Sequence, residues 1–103
     1  MRVDKLIKKI HKATDKNSAL ANASTSLDDG SLRFDVDSVS RTAFRWLRDQ
    51  FDGPIQSDID WVYKIGGSMT LLCFSDRIQI STYDDHGRVY QEYELRRPTT
   101  QAA

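Results

Sequence analysis

One cysteine, two prolines and five glycines in 103 residues leave this chain few covalent or conformational staples, and each scarcity removes a class of protein. Cys73, the single cysteine, cannot close an internal disulfide. Its place inside an apolar run suits a buried thiol rather than a nucleophile, and a reducing, cytoplasmic setting is expected. No apolar run approaches the roughly 18 residues of a membrane-spanning helix, so no membrane association is expected. Met1-Arg2-Val3-Asp4-Lys5 carries charges where a signal peptide has an apolar region. Net charge is missing too: 15 Lys and Arg balance 15 Asp and Glu. The chain therefore lacks the strongly basic footprint of a dedicated nucleic-acid binder.

Chemistry is also scarce. His11 and His86 stand at no recognisable spacing from a serine or cysteine nucleophile, which leaves His-assisted acyl transfer unsupported. Asp35 with Asp37, and Asp58 with Asp60, are carboxylates two residues apart. Two such groups fall short of the six to eight oxygens that calcium takes, and capping or solvation accounts for them. Gly66-Gly67 lacks the flanking pattern of a phosphate-cradling loop. No catalytic residue, metal ligand or cofactor is expected, and the chain reads as a non-enzyme.

What is present fits a globular protein: 39% hydrophobic, 29% charged and 10% aromatic residues. One α+β domain over residues 1–103 is expected, burying roughly 60 to 70% of its unfolded surface. Charge is unevenly spread. Arg2 to Lys16 carries six basic and two acidic residues, whereas Asn17 to Asp60 carries four arginines against eight aspartates. The first helix therefore either meets an acidic partner or sits against the protein's own acidic middle.

Val3, Leu6, Ile7, Ile10 and Ala13 recur at three and four, predicting a helix from Arg2 to Lys16 with Lys5, Lys8, Lys9, Lys12 and Lys16 opposite. Leu20 and nearby alanines extend it, and Ser24-Thr25-Ser26 through Asp28-Asp29-Gly30 reads as a polar loop. Leu32, Phe34 and Val36 alternate with Arg33 and Asp35 as in a short edge strand. A second helix is expected from Asp37 or Ser38 to Gly53-Pro54. Its core arc is Val39, Ala43, Phe44, Trp46, Leu47 and Phe51, and its outer stripe is Arg41, Arg45 and Arg48. Gln56 to Asp58 links it to a four-stranded antiparallel meander from Asp60 to Leu95, and the tail from Pro98 to Ala103 is expected to fray. Tyr83-Asp84-Asp85-His86-Gly87-Arg88 resembles one unit of the tyrosine-aspartate repeat of large bacterial shell proteins. Those proteins need tandem copies, so the single copy here reads as turn chemistry.

Turn signals fix registers within the meander. A Gly66-Gly67 hairpin pairs Tyr63 with Thr70 and Trp61 with Leu72, and a Ser75-Asp76 loop pairs Cys73 with Ile78 and Leu71 with Ile80. A loop from Asp84 to Gly87 pairs Thr82 with Val89 and Ile78 with Tyr93. One face then collects Val62, Met69, Leu71, Cys73, Ile78, Ile80, Val89, Tyr93 and Leu95. The other collects Trp61, Tyr63, Thr70, Leu72, Phe74, Arg77, Gln79, Ser81, Tyr83, Arg88, Tyr90, Glu92 and Glu94. A solvated face rarely carries so many aromatics, so a helix or a partner is expected to cover it.

The function expected is a small interaction module of inhibitor or adaptor type. It binds a partner protein through Trp61, Tyr63, Phe74, Arg77, Arg88 and Tyr90, with electrostatic help from Lys5, Lys8, Lys9, Lys12, Arg41, Arg45 and Arg48. The alternative is RNA or single-stranded DNA stacked on the same face, and homodimerisation across it is a third possibility.

Overall fold

Residues 3–96 are described in the computed structural model; Arg2 and the tail from Pro98 to Ala103 lie outside them. Helix α1, Val3–Lys16, buries Val3, Leu6, Ile7 and Ile10, the face set by its three-and-four spacing. Each such side chain contributes about 1.5 to 3 kcal/mol relative to exposure. Asn17 interrupts it. Its carboxamide oxygen accepts from the Ala19 N–H at 3.0 Å and starts a separate helix α2, Ser18–Ala23.

Ser24-Thr25-Ser26 is a strand, β1, rather than the expected loop. It pairs with β2, Leu32–Asp37, which lies between β1 and β3 and is no edge strand. The Asp37 carboxylate accepts from the N–H groups of Val39 and Ser40, but helix α3 begins only at Arg41 and runs to Asp49. Val39, assigned to the core arc, precedes the helix and is 85% exposed. Ala43, Phe44, Leu47 and Phe51 are buried as expected.

The largest correction lies between residues 53 and 64. Gly53-Pro54 does not stop one helix but opens another, α4, Gly53–Lys64, with Pro54 in its first turn. Ile59 and Val62 are buried at helical spacing, so Trp61 and Tyr63 pair with no strand, and Gln56 to Asp58 belongs to the helix. Gly66-Gly67 is its C-terminal stop. Gly66 takes a φ of +81°, its N–H donates to the Tyr63 carbonyl at 3.2 Å, and the Gly67 N–H donates to the Val62 carbonyl at 2.9 Å. These two bonds satisfy carbonyls that a helix end would otherwise leave free.

Three strands then follow: β3, Ser68–Cys73, β4, Arg77–Tyr83, and β5, Val89–Arg96. The sheet has five antiparallel strands in the order β1-β2-β3-β4-β5, one more than expected, and β2 occupies the place given to the segment around Trp61. Leu71 faces Ile80 and Cys73 faces Ile78, as the Ser75-Asp76 turn predicts. The last hairpin differs by two residues, with Ile78 opposite Leu95 and Ile80 opposite Tyr93.

The four helices of the described residues all cover one side of this sheet. Their buried residues form a single cluster with Leu32, Phe34, Val36, Met69, Leu71, Cys73, Ile78 and Ile80. Helix α1 packs on β4, α2 on β1 and β2, α3 on β2, and α4 across β3, β4 and β5. Tyr93 fixes the last of these contacts, its hydroxyl donating to the Asp58 carboxylate.

Candidate functional site

Among the described residues the opposite side of the sheet carries no helix. Its side chains follow from the registers as rows across the strands: Arg33, Leu72, Gln79 and Glu94; then Asp35, Thr70, Ser81 and Glu92; then Asp37, Ser68, Tyr83 and Val89. Strands lie about 4.8 Å apart, so each four-residue row spans roughly 14 Å. Leu72 sits mid-face, while Phe74 closes the end near the β3–β4 turn, with the Arg77 guanidinium 4.0 Å from its ring centroid.

A β-bulge makes one corner apolar. The β4–β5 register shifts between Thr82 and Tyr83, leaving Tyr90 as an extra residue of β5. The buried Thr82 hydroxyl holds the bulge, donating to the Gln91 carbonyl and accepting from the Gln91 N–H, each at 3.1 Å. Val89, assigned to the core by uninterrupted alternation, is therefore displaced to the open face opposite Tyr83 and is 57% exposed. Tyr90 is 39% exposed beside it. A shallow groove of about 200 Å³ borders the corner, lined by Asp35, Asp37, Ser68, Thr70 and Tyr83 among others.

The turn below the corner is preorganised by Asp84. Its carboxylate accepts from the backbone N–H groups of His86 and Arg88, both at 2.9 Å, and from the Arg88 guanidinium at 3.2 Å. The Arg88 N–H above all, with that of His86 and the Arg88 charge, holds the Asp84 carboxyl below its ordinary value. Across the face, the carboxylates of Asp35 and Glu94 are each held by an arginine along the same strand and by a neutral side chain from the next. Arg33 donates to Asp35 at 2.8 Å, Thr70 to Asp35 at 2.8 Å, and Gln79 and Arg96 both to Glu94. Partial burial pushes Asp35 upward, yet the bonds from Arg33 and Thr70 leave its carboxyl below the ordinary value. Glu94 is lowered by the Gln79 amide and then by Arg96. These pairs fix side-chain positions and contribute little stability, being exposed.

Of the residues singled out by sequence, Phe74, Arg77, Arg88 and Tyr90 belong to this face or its rim. Trp61 and Tyr63 do not. Both lie on α4, with Trp61 50% exposed. Tyr63 packs against the core, its ring centroid 5.1 Å from that of Phe44 and its hydroxyl accepting from Arg41 at 3.0 Å. Arg48 is bound to Asp49 and Asp60, whereas Arg45 is exposed. Lys5, Lys8, Lys9 and Lys12 are exposed on α1, whose apolar side faces the core from the helical layer. The lysines and the open face thus lie on opposite sides of the protein.

Tyr83 and Val89 are members of the corner absent from the contact residues expected from sequence, although alternation does place Tyr83 on this face. Nothing local announces the bulge that brings Val89 beside it. No known protein family, curated protein or solved structure matches this chain. Among the described residues no group of three His, Cys, Asp or Glu side chains is placed to share a metal ion, and no helix is long and apolar enough to cross a membrane. The Cys73 thiol is buried, and desolvation pushes it up to about 12.

Proposed function

We propose that this is a non-enzymatic protein-interaction module of inhibitor or adaptor type, whose contact surface is the uncovered sheet face centred on Tyr83, Val89, Tyr90 and Arg88. One observation carries the reading: the bulge turns the apolar Val89 out of the core and leaves it exposed beside Tyr83, Tyr90 and Arg88. Tyrosine and arginine are the types enriched where partners bind, and such anchors dominate binding energy when water is excluded from them. Bulges recur where a strand re-aims a side chain for a purpose other than packing. The paired charges supply a polar rim already held in place, which lowers the ordering cost of association.

Nucleic acid on the same face has weaker support. Asp35, Asp37, Glu92 and Glu94 offset Arg33, Arg77, Arg88 and Arg96 there, so phosphates gain little. The deciding experiment is affinity capture from nuclease-treated lysate of the native cells, with three baits. The intact chain and a Lys8→Gln/Lys12→Gln variant should retain the same discrete protein. A Tyr83→Ser/Val89→Ser/Tyr90→Ser variant with unchanged circular dichroism should lose it. Equal capture by all three baits would refute the reading.

A further inference from the structure

We infer that α1 carries a second, independent contact surface, on the side of the protein away from the open sheet face, that takes the phosphate backbone of duplex nucleic acid. Positive charge without an ion pair is densest on α1. Arg33, Arg48, Lys64, Arg77, Arg88 and Arg96 all make ion pairs, while on α3 Arg41 donates to the neutral Tyr63 hydroxyl and Arg45 is exposed. Lys5, Lys8, Lys9, Lys12 and Lys16 are exposed and make no ion pair among the described residues. None of the eight aspartates between Asn17 and Asp60 makes an ion pair with them.

Geometry sharpens the point. At about 100° per residue, the five lysines occupy an arc of roughly 100° of the helix, and at 1.5 Å per residue they extend over about 16 Å. Like charges three and four residues apart oppose helix formation, so the arrangement weakens α1 locally. At 0.1 M salt, charges are screened beyond about 10 Å, so a ligand at this stripe responds to the lysines and not to the zero net charge of the whole chain.

The chemistry of the arc selects the occupant. It bears no aromatic or apolar side chain, and lysine is depleted in protein interfaces, so a protein partner would find no anchor there. The apolar side of α1 is spent on the core, which leaves nothing to insert into a lipid surface. A polyphosphate needs no such anchor, because lysines that neutralise phosphates gain affinity by releasing condensed counterions. Duplex is favoured over single strand because its charge density is higher and the arc offers no ring on which an unpaired base would stack.

Fluorescence anisotropy of a mixed-sequence 20-base-pair DNA duplex, titrated with the full chain from 25 to 200 mM KCl, tests this. Five phosphate contacts should give a slope of log K against log salt of about −4.5, and a Lys8→Gln/Lys9→Gln/Lys12→Gln variant about −2 with weaker binding throughout. The triple variant at the Tyr83 corner should bind duplex like the intact chain, which keeps this result separate from the protein-partner reading. An undiminished melting temperature certifies the lysine variant. Absence of binding at 25 mM KCl, a slope unmoved by the lysine changes, or equal or tighter binding of single-stranded DNA, polyglutamate or phosphatidylserine vesicles would each overturn the inference.

Discussion

Replacing Gly67 by alanine tests how α4 hands the chain to the sheet. A Cβ built on Gly67 would stand 2.1 Å from the Tyr83 carbonyl oxygen and 2.8 Å from the Val62 Cγ1. The Tyr83 oxygen belongs to the backbone of β4, which is paired on both sides, so it cannot swing away as a side chain would. Gly67 also donates to the Val62 carbonyl and accepts from the Ser38 N–H, so a shift of its backbone loosens the end of α4 and the β2–α3 turn together. Overpacking a tight site costs about 1 to 3 kcal/mol. The reduced freedom of the unfolded chain returns only about 0.4 to 1 kcal/mol. A net loss of about 1 to 2 kcal/mol is expected for Gly67→Ala, read as a lower midpoint in urea at unchanged slope. Gly66→Ala is the control. Its Cβ has 3.9 Å to the nearest atom, Ser38 Oγ, so its cost is confined to the φ of +81°, about 1 kcal/mol. A Gly67→Ala protein as stable as the parent would refute this packing of α4 against β4.

Three further outcomes are expected. Cys73, buried and with its thiol pushed up to about 12, should react with a thiol reagent at pH 8 only at the rate of unfolding; prompt labelling of native protein would contradict its placement. Thr82→Val removes both bonds to Gln91 and should cost about 1 to 3 kcal/mol, with amide exchange rising first at Gln91; unchanged stability would mean the hydroxyl does not hold the bulge. Because the folded Asp84 carboxyl titrates below its ordinary 3.8, its contribution is complete above that pH and is lost as the pH falls through the folded value. Asp84→Ala should therefore melt lower than the parent at pH 7, and the gap should close under stronger acid; a constant gap would refute the role of the charge.

Much of the fold was legible because local pattern and tertiary environment agree in it. The three-and-four spacing in α1, the alternation in β2, β3 and β4, and the Ser75-Asp76 turn each point to what forms. The segment from Gly53 to Lys64 departs from that agreement because Trp61, Val62, Tyr63 and Ile65 have strand-forming side chains. Its length, the proline at its start and the glycine after its end are the helical signals, and the spacing of Ile55, Ile59 and Val62 agrees with them. Strand β1 has no apolar alternation, and pairing with β2 alone makes it a strand. The site was half legible for a different reason. Alternation assigns faces only while the count is unbroken, and the one extra residue at Tyr90 moved Val89 from the expected core to the surface.

Site-specific photo-crosslinking in the native cells tests whether the uncovered sheet face meets a protein partner at the Tyr83 corner, whatever that partner is. Benzoylphenylalanine would replace Tyr83, Tyr90 or, as a control exposed on α4 in the helical layer, Trp61. Irradiation should yield one discrete protein adduct of the same mass from positions 83 and 90 and none from position 61. Adducts from position 61 alone, or none from positions 83 and 90 in a chain that remains folded, would contradict the proposed contact surface.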